Sequence, residues 1–143
     1  MFYKIDYESH PIQKDLDVLS RGIALHAKDN NIQGSIEPFA FFIRDENSKI
    51  KAGCNGFILY SWLYVDQLWV DKALRRQGYG RTLMSAAEEL AVNKKCVSAA
   101  VNTATWEALD FYKKLGYRVE FTRRGWAGDS EFYFMRKDFY LCE

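Results

Sequence analysis

The sequence lacks any apolar run approaching the roughly 18 residues that a membrane-spanning helix requires. Residues 1–7 alternate between apolar and charged or polar side chains, unlike the continuous apolar segment of a secretory signal peptide. We therefore expect neither a membrane segment nor a leader, and we expect a cytoplasmic protein.

Cysteine and histidine are scarce, with three and two copies in 143 residues. The cysteines, Cys54, Cys96 and Cys142, are odd in number and far apart, which favours a reducing compartment over a disulfide framework. No CxxC or HxxxH spacing is present, so we predict no metal site. A nucleophilic cysteine is also not expected, because no histidine is placed to activate Cys96.

A strong charge of either sign is missing as well, since the formal net charge is +1. This balance excludes an overall field that would attract nucleic acid or an acidic membrane. The Arg123-Arg124 pair alone does not reverse that conclusion. The length fits one domain, 1–143, and the 48% hydrophobic and 16% aromatic content allows a sizeable core.

The most informative stretch is a glycine turn between a strand pattern and a helix pattern. Residues 63–70 read as a strand, and apolar residues from 83 onward recur at helical spacing. Gly78 and Gly80 allow a tight turn and close approach of a ligand. Arg75, Arg76 and Arg81 add positive charge to the unpaired N–H groups at the helix start. The turn therefore predicts a phosphate or pyrophosphate site.

The remaining elements follow from periodicity and turn residues. We predict strands at 3–7, 39–44, 50–60, 62–70, 96–101, 117–123 and 131–139, and helices from Ser9-His10-Pro11 to about residue 30, at 80–93, and at 106–115 with Thr105 as cap and Gly116 as stop. Because a helix connects strand 62–70 to strand 96–101, these two should be parallel neighbours in a mixed α/β sheet. Gly53 and Gly56 should mark a bulge or a close approach within their strand.

Three separated features carry a family resemblance. They are Leu68-Trp69-Val70 followed by Arg75-x-x-Gly78-x-Gly80, the later Phe111-Tyr112-Lys113-Lys114-Leu115-Gly116-Tyr117, and the order of elements. Together they resemble the GNAT superfamily of acetyl-CoA-dependent N-acetyltransferases. The resemblance implies an α/β fold with about seven strands, a splayed central parallel pair and three to four flanking helices.

The resemblance also implies where acetyl-CoA would bind. The turn 77–82 would donate N–H groups to the pyrophosphate, and the edge of 68–70 would pair with the pantetheine arm. The implied cofactor-binding residues are Leu68, Trp69, Val70, Arg75, Arg76, Gln77, Gly78, Tyr79, Gly80, Arg81, Thr82, Asn102, Thr105 and Tyr112. One departure stands out: many members carry Asn seven residues before the tyrosine, where this chain has Thr105. A subgroup of small bacterial members has Ser or Thr there, and often His in a late loop where this chain has Asp129.

The implied chemistry is direct attack of an amine on the thioester in a ternary complex. Tyr112 resembles the tyrosine that protonates the departing thiolate. Asp66, two residues before Leu68, is our candidate for the base or for a residue that orients water, because an amine must lose a proton before it attacks. Glu37, Asp129 and Glu131 are weaker candidates for the same role.

The acceptor remains open at this level. Trp62, Tyr64, Trp106 and Trp126 could form the walls of a pocket for a cationic amine, although large aromatic residues are also common in cores and dimer surfaces. We expect a small-molecule amine. A protein N-terminus or lysine, or a non-catalytic acyl-CoA sensor, are the alternatives. The aromatic tail 132–141 could support a homodimer.

Overall fold

The computed structural model describes residues 2–139, which divide into two units at the Ser35–Ile36 junction. We describe each unit by itself, so the single domain 1–143 stays a prediction. None of the helices within the described residues is long and apolar enough to cross a membrane. Cys142 and the end of the aromatic tail lie outside the described residues.

The first unit, residues 2–35, contains one helix, α1 (Gln13–Asp29). The strand predicted at 3–7 was wrong, because these residues are exposed and take no strand pairing. An alternating pattern specifies which side chains share a face but supplies no partner for the backbone. The helix also begins later than expected: Ile12 is its N-cap, without a side-chain cap, and Ser9 instead contacts the ring of His10.

The second unit, residues 36–139, is built on a six-stranded sheet in the order β1-β2-β3-β4-β6-β5. The strands are β1 (Glu37–Arg44), β2 (Ile50–Leu59), β3 (Trp62–Val70), β4 (Ser98–Ala104), β5 (Arg118–Arg124) and β6 (Glu131–Asp138). All pairings are antiparallel except β3 with β4, which confirms the expected parallel pair and the mixed α/β class. The strand count within residues 2–139 is one lower than expected, because residues 3–7 form no strand.

Two helices of this unit contribute to the core on one face of the sheet. They are α2 (Tyr79–Asn93) and α3 (Leu109–Lys114). Met84 of α2 is fully buried with Leu63 of β3 and Ala99 of β4, and Tyr112 of α3 is 6% exposed in the same cluster. The opposite face of the sheet, which we call the outer face, carries side chains such as Trp62 and Tyr64.

A bulge interrupts the pairing of β2 with β3. Gly56 is opposite Val65 and Asn55 is opposite Gln67, so Asp66 is the extra residue. A Cβ on Gly56 would lie 1.9 Å from the carbonyl oxygen of Tyr64, so only glycine fits there. This confirms the expected role of a glycine in this strand.

The parallel pair separates at the same level. Pairing of β3 with β4 runs from Trp62–Ser98 to Val65–Val101 and stops there, while β4 continues to pair with β6 as far as Ala104. Within the part of the chain that the structure describes, residues 66–70 of β3 therefore have no paired strand on the β4 side. The central strands splay apart just after the bulge, as expected.

The helix predicted at 106–115 forms only over Leu109–Lys114, and Thr105 does not cap it. The Thr105 hydroxyl instead donates to Glu131 O at 3.2 Å and accepts from Glu131 N at 2.9 Å, so it joins β4 to β6. The Thr103 hydroxyl accepts from the N-cap residue, Ala108, at 3.0 Å. Gly116, with φ of 100°, ends the helix as predicted.

Candidate active site

The splay leaves backbone groups of β3 without strand partners. Asp71 N donates to Lys51 O of β2 at 2.8 Å. Because successive residues of a strand direct their N–H and C=O groups to opposite sides, those of Leu68 and Val70 point toward the opening. Arg75 Nε donates to Val70 O at 3.0 Å, so this carbonyl already has a hydrogen-bond partner. An extended ligand that contains amides could pair with the other backbone groups of Leu68 and Val70.

The turn after β3 brings the start of α2 to the same opening. Gly78 is the N-cap, with φ of 89° and no side-chain cap, and Arg76 also has a positive φ of 63°. Among residues 2–139, no N-cap side chain accepts from the first N–H groups of α2, so these groups can bind an anion. Asp71 stabilises the turn by accepting from Ala73 N at 2.9 Å, and this bond together with Lys51 lowers the pKa of Asp71.

Gly80, the second glycine of the turn, is explained by packing. A Cβ there would lie 3.3 Å from Cζ of Phe111, so a larger residue would push the phenylalanine ring away. Gly80 of the glycine pair and Phe111 of the Phe111-Tyr112 motif, 31 residues apart in the sequence, are therefore in contact. The contact places α3 against the start of α2.

A cavity of about 590 Å³ lies between β3, the turn and α3. It is lined by Leu68, Trp69, Val70, Leu74, Arg75, Arg76, Gly78, Tyr79, Gly80, Arg81, Glu107, Ala108 and Phe111. We call it the cofactor cavity. Most of the expected cofactor-binding residues line it, and three arginines lie near the free helix start.

Several expected cofactor residues do not line this cavity. The Gln77 amide donates to Ala73 O at 3.2 Å, and the Thr82 hydroxyl donates to Gly78 O at 3.0 Å, so both side chains stabilise the turn. Thr105 is bound to Glu131, and Asn102 lies on the outer face. Their contact with the cofactor stays a prediction.

The Tyr112 ring is buried in the core and does not line the cofactor cavity, so the role of its hydroxyl as a proton donor stays a prediction. Its ring packs edge-on against Phe111 and Tyr117, with centroids 5.2 and 5.7 Å away. Burial, with smaller contributions from Glu107 and Cys54, raises the pKa of Tyr112 to about 12. The phenol therefore stays protonated at neutral pH, as a proton donor must be.

A second cavity, of about 450 Å³, lies on the outer face at the splay, and we call it the acceptor cavity. It is lined by Phe57, Trp62, Tyr64, Val65, Asp66, Ala100, Val101, Asn102, Glu120, Phe134 and Met135. Ala100 of β4 lies opposite Tyr64 of β3 and opposite Arg136 of β6, and Phe134 of β6 lies opposite Asn102. Phe57 and Tyr64 are stacked at 4.9 Å on one side.

The two carboxylates of the acceptor cavity differ in their surroundings. Glu120 forms an ion pair with Arg136 at 2.7 Å, and the Arg136 guanidinium also contacts Asp138 at 2.8 Å and lies 4.7 Å from the Trp62 ring centre. Asp66 is exposed at the bulge, and no salt bridge to it is found within residues 2–139. Asp66 is thus the carboxylate available to a cationic ligand.

The other sequence candidates fall elsewhere. Trp106 is 67% exposed, and Trp126 stacks on Phe132 at 4.1 Å; neither lines the acceptor cavity. Glu37 forms an ion pair with Lys94 at 3.0 Å, and Glu131 accepts from the Tyr133 hydroxyl at 3.1 Å. Asp129 lies in the loop between β5 and β6. None of these carboxylates lies at the splay.

Burial removes two cysteines from consideration as exposed nucleophiles. Cys54 and Cys96 are 2% and 0% exposed, and burial raises the pKa of both thiols. The Cys54 thiol donates to Leu83 O at 3.7 Å.

Sequence reasoning missed residues in both cavities. Glu107 and Ala108 line the cofactor cavity from the turn before α3, and Glu120, Phe57 and Phe134 line the acceptor cavity. The only available signal was the spacing of aromatic residues at alternate strand positions. That signal does not reveal which strands lie side by side.

Comparison with known proteins agrees with this geometry. The model of the acetyltransferase (GNAT) family matches residues 5–117. A blasticidin-S acetyltransferase from Streptomyces morookaense is 34% identical over 85 residues, 59% of this chain and 62% of that protein. A peptidyl-lysine N-acetyltransferase from Salmonella typhimurium is 36% identical over 64 residues, 45% of this chain and 42% of that protein.

Among solved structures, an acetyltransferase from Bacillus cereus superposes with a TM-score of 0.77 at 23% identity, covering 93% of this chain and 97% of that one. This likeness extends the shared fold to nearly the whole chain. The sequence matches to the two curated relatives span less than two thirds of their lengths.

Proposed function

The chain belongs to the GNAT family of acetyltransferases, and from this membership we propose that it transfers the acetyl group of acetyl-CoA to a primary amine within a ternary complex. The observation that carries the proposal is the splay of β3 and β4. It lies between the cofactor cavity, lined by Leu68, and the acceptor cavity, lined by Asp66.

The cofactor would bind along β3 and across the glycine turn. Its pyrophosphate would accept from the free N–H groups at the start of α2, where the helix dipole and Arg81 add positive potential. Its pantetheine amides would pair with the open backbone groups of Leu68 and Val70. In this arrangement the thioester would point back along the strand toward Asp66.

Each chemical step then has a candidate group. A primary amine with a pKa of about 10 is mostly protonated at neutral pH, so Asp66 would accept the proton directly or through water. A backbone N–H of the splayed strand would stabilise the oxyanion that develops when the amine nitrogen attacks the thioester carbonyl. Tyr112 would donate the proton that the leaving thiolate needs when the C–S bond breaks.

The acceptor cavity favours a small cationic amine. Its aromatic walls and the available Asp66 carboxylate both attract a positive charge, and the blasticidin-S acetyltransferase relative supports a small-molecule acceptor. The peptidyl-lysine relative favours the alternative of a lysine side chain on a protein. Both acceptors present the same primary amine to Asp66.

The test is titration of the protein with acetyl-CoA, followed by measurement of thiol release with a panel of amines and lysine peptides. Binding with amine-dependent release supports the transferase. Binding without release from any acceptor would favour the acyl-CoA sensor instead. For the base, Asp66→Asn should lower kcat with little change in acetyl-CoA affinity, and Glu89→Gln on the exposed face of α2 serves as the control. An unchanged kcat in Asp66→Asn would remove Asp66 from this role.

A further inference from the structure

A third cavity, of about 330 Å³, opens on the outer face beside the acceptor cavity. Phe42, Gly53 and Trp69 lie directly opposite one another on β1, β2 and β3. Phe42 and Trp69 are 48% and 49% exposed, and the glycine between them forms the floor. The cavity is therefore a slot with an aromatic wall on each side.

Gly53 is required for the shape of this slot. A Cβ there would lie 2.8 Å from Cδ1 of Phe42 and 2.9 Å from Phe41 O. The phenylalanine ring consequently lies over β2 because the floor has no side chain. Phe42 and Trp69 both line the cavity of about 330 Å³, which leaves room for a flat group.

One end of the slot is polar. Asn55 and Gln67, opposite each other at the bulge, both line the cavity. The Asn55 Oδ1 atom is buried and has no hydrogen-bond partner among residues 2–139. Buried hydrogen-bond acceptors are normally paired. The Asn55 Oδ1 atom therefore needs a hydrogen-bond donor that residues 2–139 do not supply.

The slot and the acceptor cavity are lined by neighbouring residues of the same two strands. Asp66 precedes Gln67 on β3, and Phe57 follows Asn55 by two residues on the same face of β2. Trp69 is three residues from Asp66, a distance of about 10 Å along an extended strand. A ligand with its ring in the slot could therefore present an amine at Asp66 through a linker of six or so carbons.

We propose that the slot binds a planar ring of the acceptor, stacked between Phe42 and Trp69, with a ring N–H donating to Asn55 Oδ1. This inference rests on the proposed function, because it names a part of the same acceptor. It assigns the acceptor class as an amine linked to a flat ring that carries a hydrogen-bond donor.

Three amines of matched length test the proposal: 6-(indol-3-yl)hexylamine, 6-(naphthalen-1-yl)hexylamine and 6-cyclohexylhexylamine. Thiol release is measured with acetyl-CoA at saturation. We expect kcat/KM for the naphthyl amine to exceed that for the cyclohexyl amine by about 3- to 10-fold, from stacking. The indole amine should gain a further factor of about 2 to 10 from its N–H donor.

Variants assign the two effects to residues. Asn55→Leu should remove the preference for indole over naphthyl, and Phe42→Leu should reduce the preference for naphthyl over cyclohexyl. Phe121→Leu, at a 56% exposed phenylalanine of β5, should keep both ratios and controls for the loss of an outer-face ring. Ratios within one variant are insensitive to partial misfolding, because the unfolded fraction affects all three amines equally.

The outcomes separate this inference from the proposed function. Thiol release with equal kcat/KM for the three amines would overturn the slot and leave the transferase intact. Ratios that stay unchanged in Asn55→Leu and Phe42→Leu would also overturn it. No release with any amine would overturn both proposals together.

Discussion

Replacing Gly56 with alanine tests how the bulge determines both stability and activity. The new Cβ would lie 1.9 Å from Tyr64 O, 2.9 Å from Tyr64 C and 3.1 Å from Asp66 N. All three contacts are with backbone atoms of β3, so no side-chain rotation can relieve them. Gly56 has no positive φ, so the conflict is one of space.

The loss of stability in Gly56→Ala depends on how far the backbones of β2 and β3 must separate. Overpacking a fitted site costs about 1–3 kcal/mol, and here the strand pairing itself has to open, so we expect about 3 kcal/mol or more. With an unfolding entropy of about 2.1 cal/mol/K per residue, a chain of this size loses about 3 °C of Tm per kcal/mol, or about 10 °C in all. A shift of about 1 Å in the Asp66–Leu68 backbone would lower kcat by about 100-fold.

The assay combines thermal unfolding with thiol-release kinetics at a temperature where the variant is folded. Gly22→Ala is the matched control, because nothing lies within 4 Å of its Cβ position in α1. That change should stabilise its helix by about 0.5–1 kcal/mol. Glycine-to-alanine substitution is thus expected to lower stability at position 56 and to raise it at position 22. Wild-type Tm and kcat in Gly56→Ala would refute the reasoning.

Three further predictions concern single side chains. Tyr112→Phe should lower kcat about 100-fold with unchanged acetyl-CoA affinity. The raised pKa of about 12 favours the neutral phenol in the folded state. The free energy of unfolding of the wild type should therefore fall between about pH 10 and 12, by about 3 kcal/mol more than that of the variant, in denaturant titrations. Arg81→Ala should weaken coenzyme A binding about 10-fold at low salt, and less at high salt, by calorimetry, whereas Lys49→Ala in the β1–β2 turn should not. Glu88→Ala removes the acceptor of Lys137 Nζ at 2.6 Å and should lower the free energy of unfolding by about 2–3 kcal/mol. Glu89→Ala, on the exposed side of α2, should change it by no more than about 0.5 kcal/mol. Equal effects of the two substitutions would contradict the ion-pair argument.

Local patterns predicted the central elements well. The bounds of β3 match the expected 62–70, and α2 begins one residue before the expected Gly80. Both elements have strong periodicity and a clear glycine break between them. The turn after β1 also formed as expected, with the Asp45 carboxylate accepting from Asn47 N and Lys49 N.

Local patterns failed where an outcome depended on a distant partner. The alternation at 3–7 predicted a strand, but pairing requires a neighbouring edge that no local pattern can supply. Thr105 has the right type and position for a helix cap, yet its hydroxyl pairs with Glu131, 26 residues later. The Thr105 hydroxyl therefore binds the backbone of Glu131 on the neighbouring strand instead of capping the helix.

The sequence by itself determined the family, the glycine turn and the parallel pair, because each depends on residue types at short, fixed spacings. Only the tertiary structure decided which side chains share a cavity. It paired Glu120 with Arg136 and left Asp66 available at the bulge. It also placed Phe42 and Trp69 on either side of Gly53. The physical reason is that strand register sets these neighbours, and register results from packing over the whole sheet.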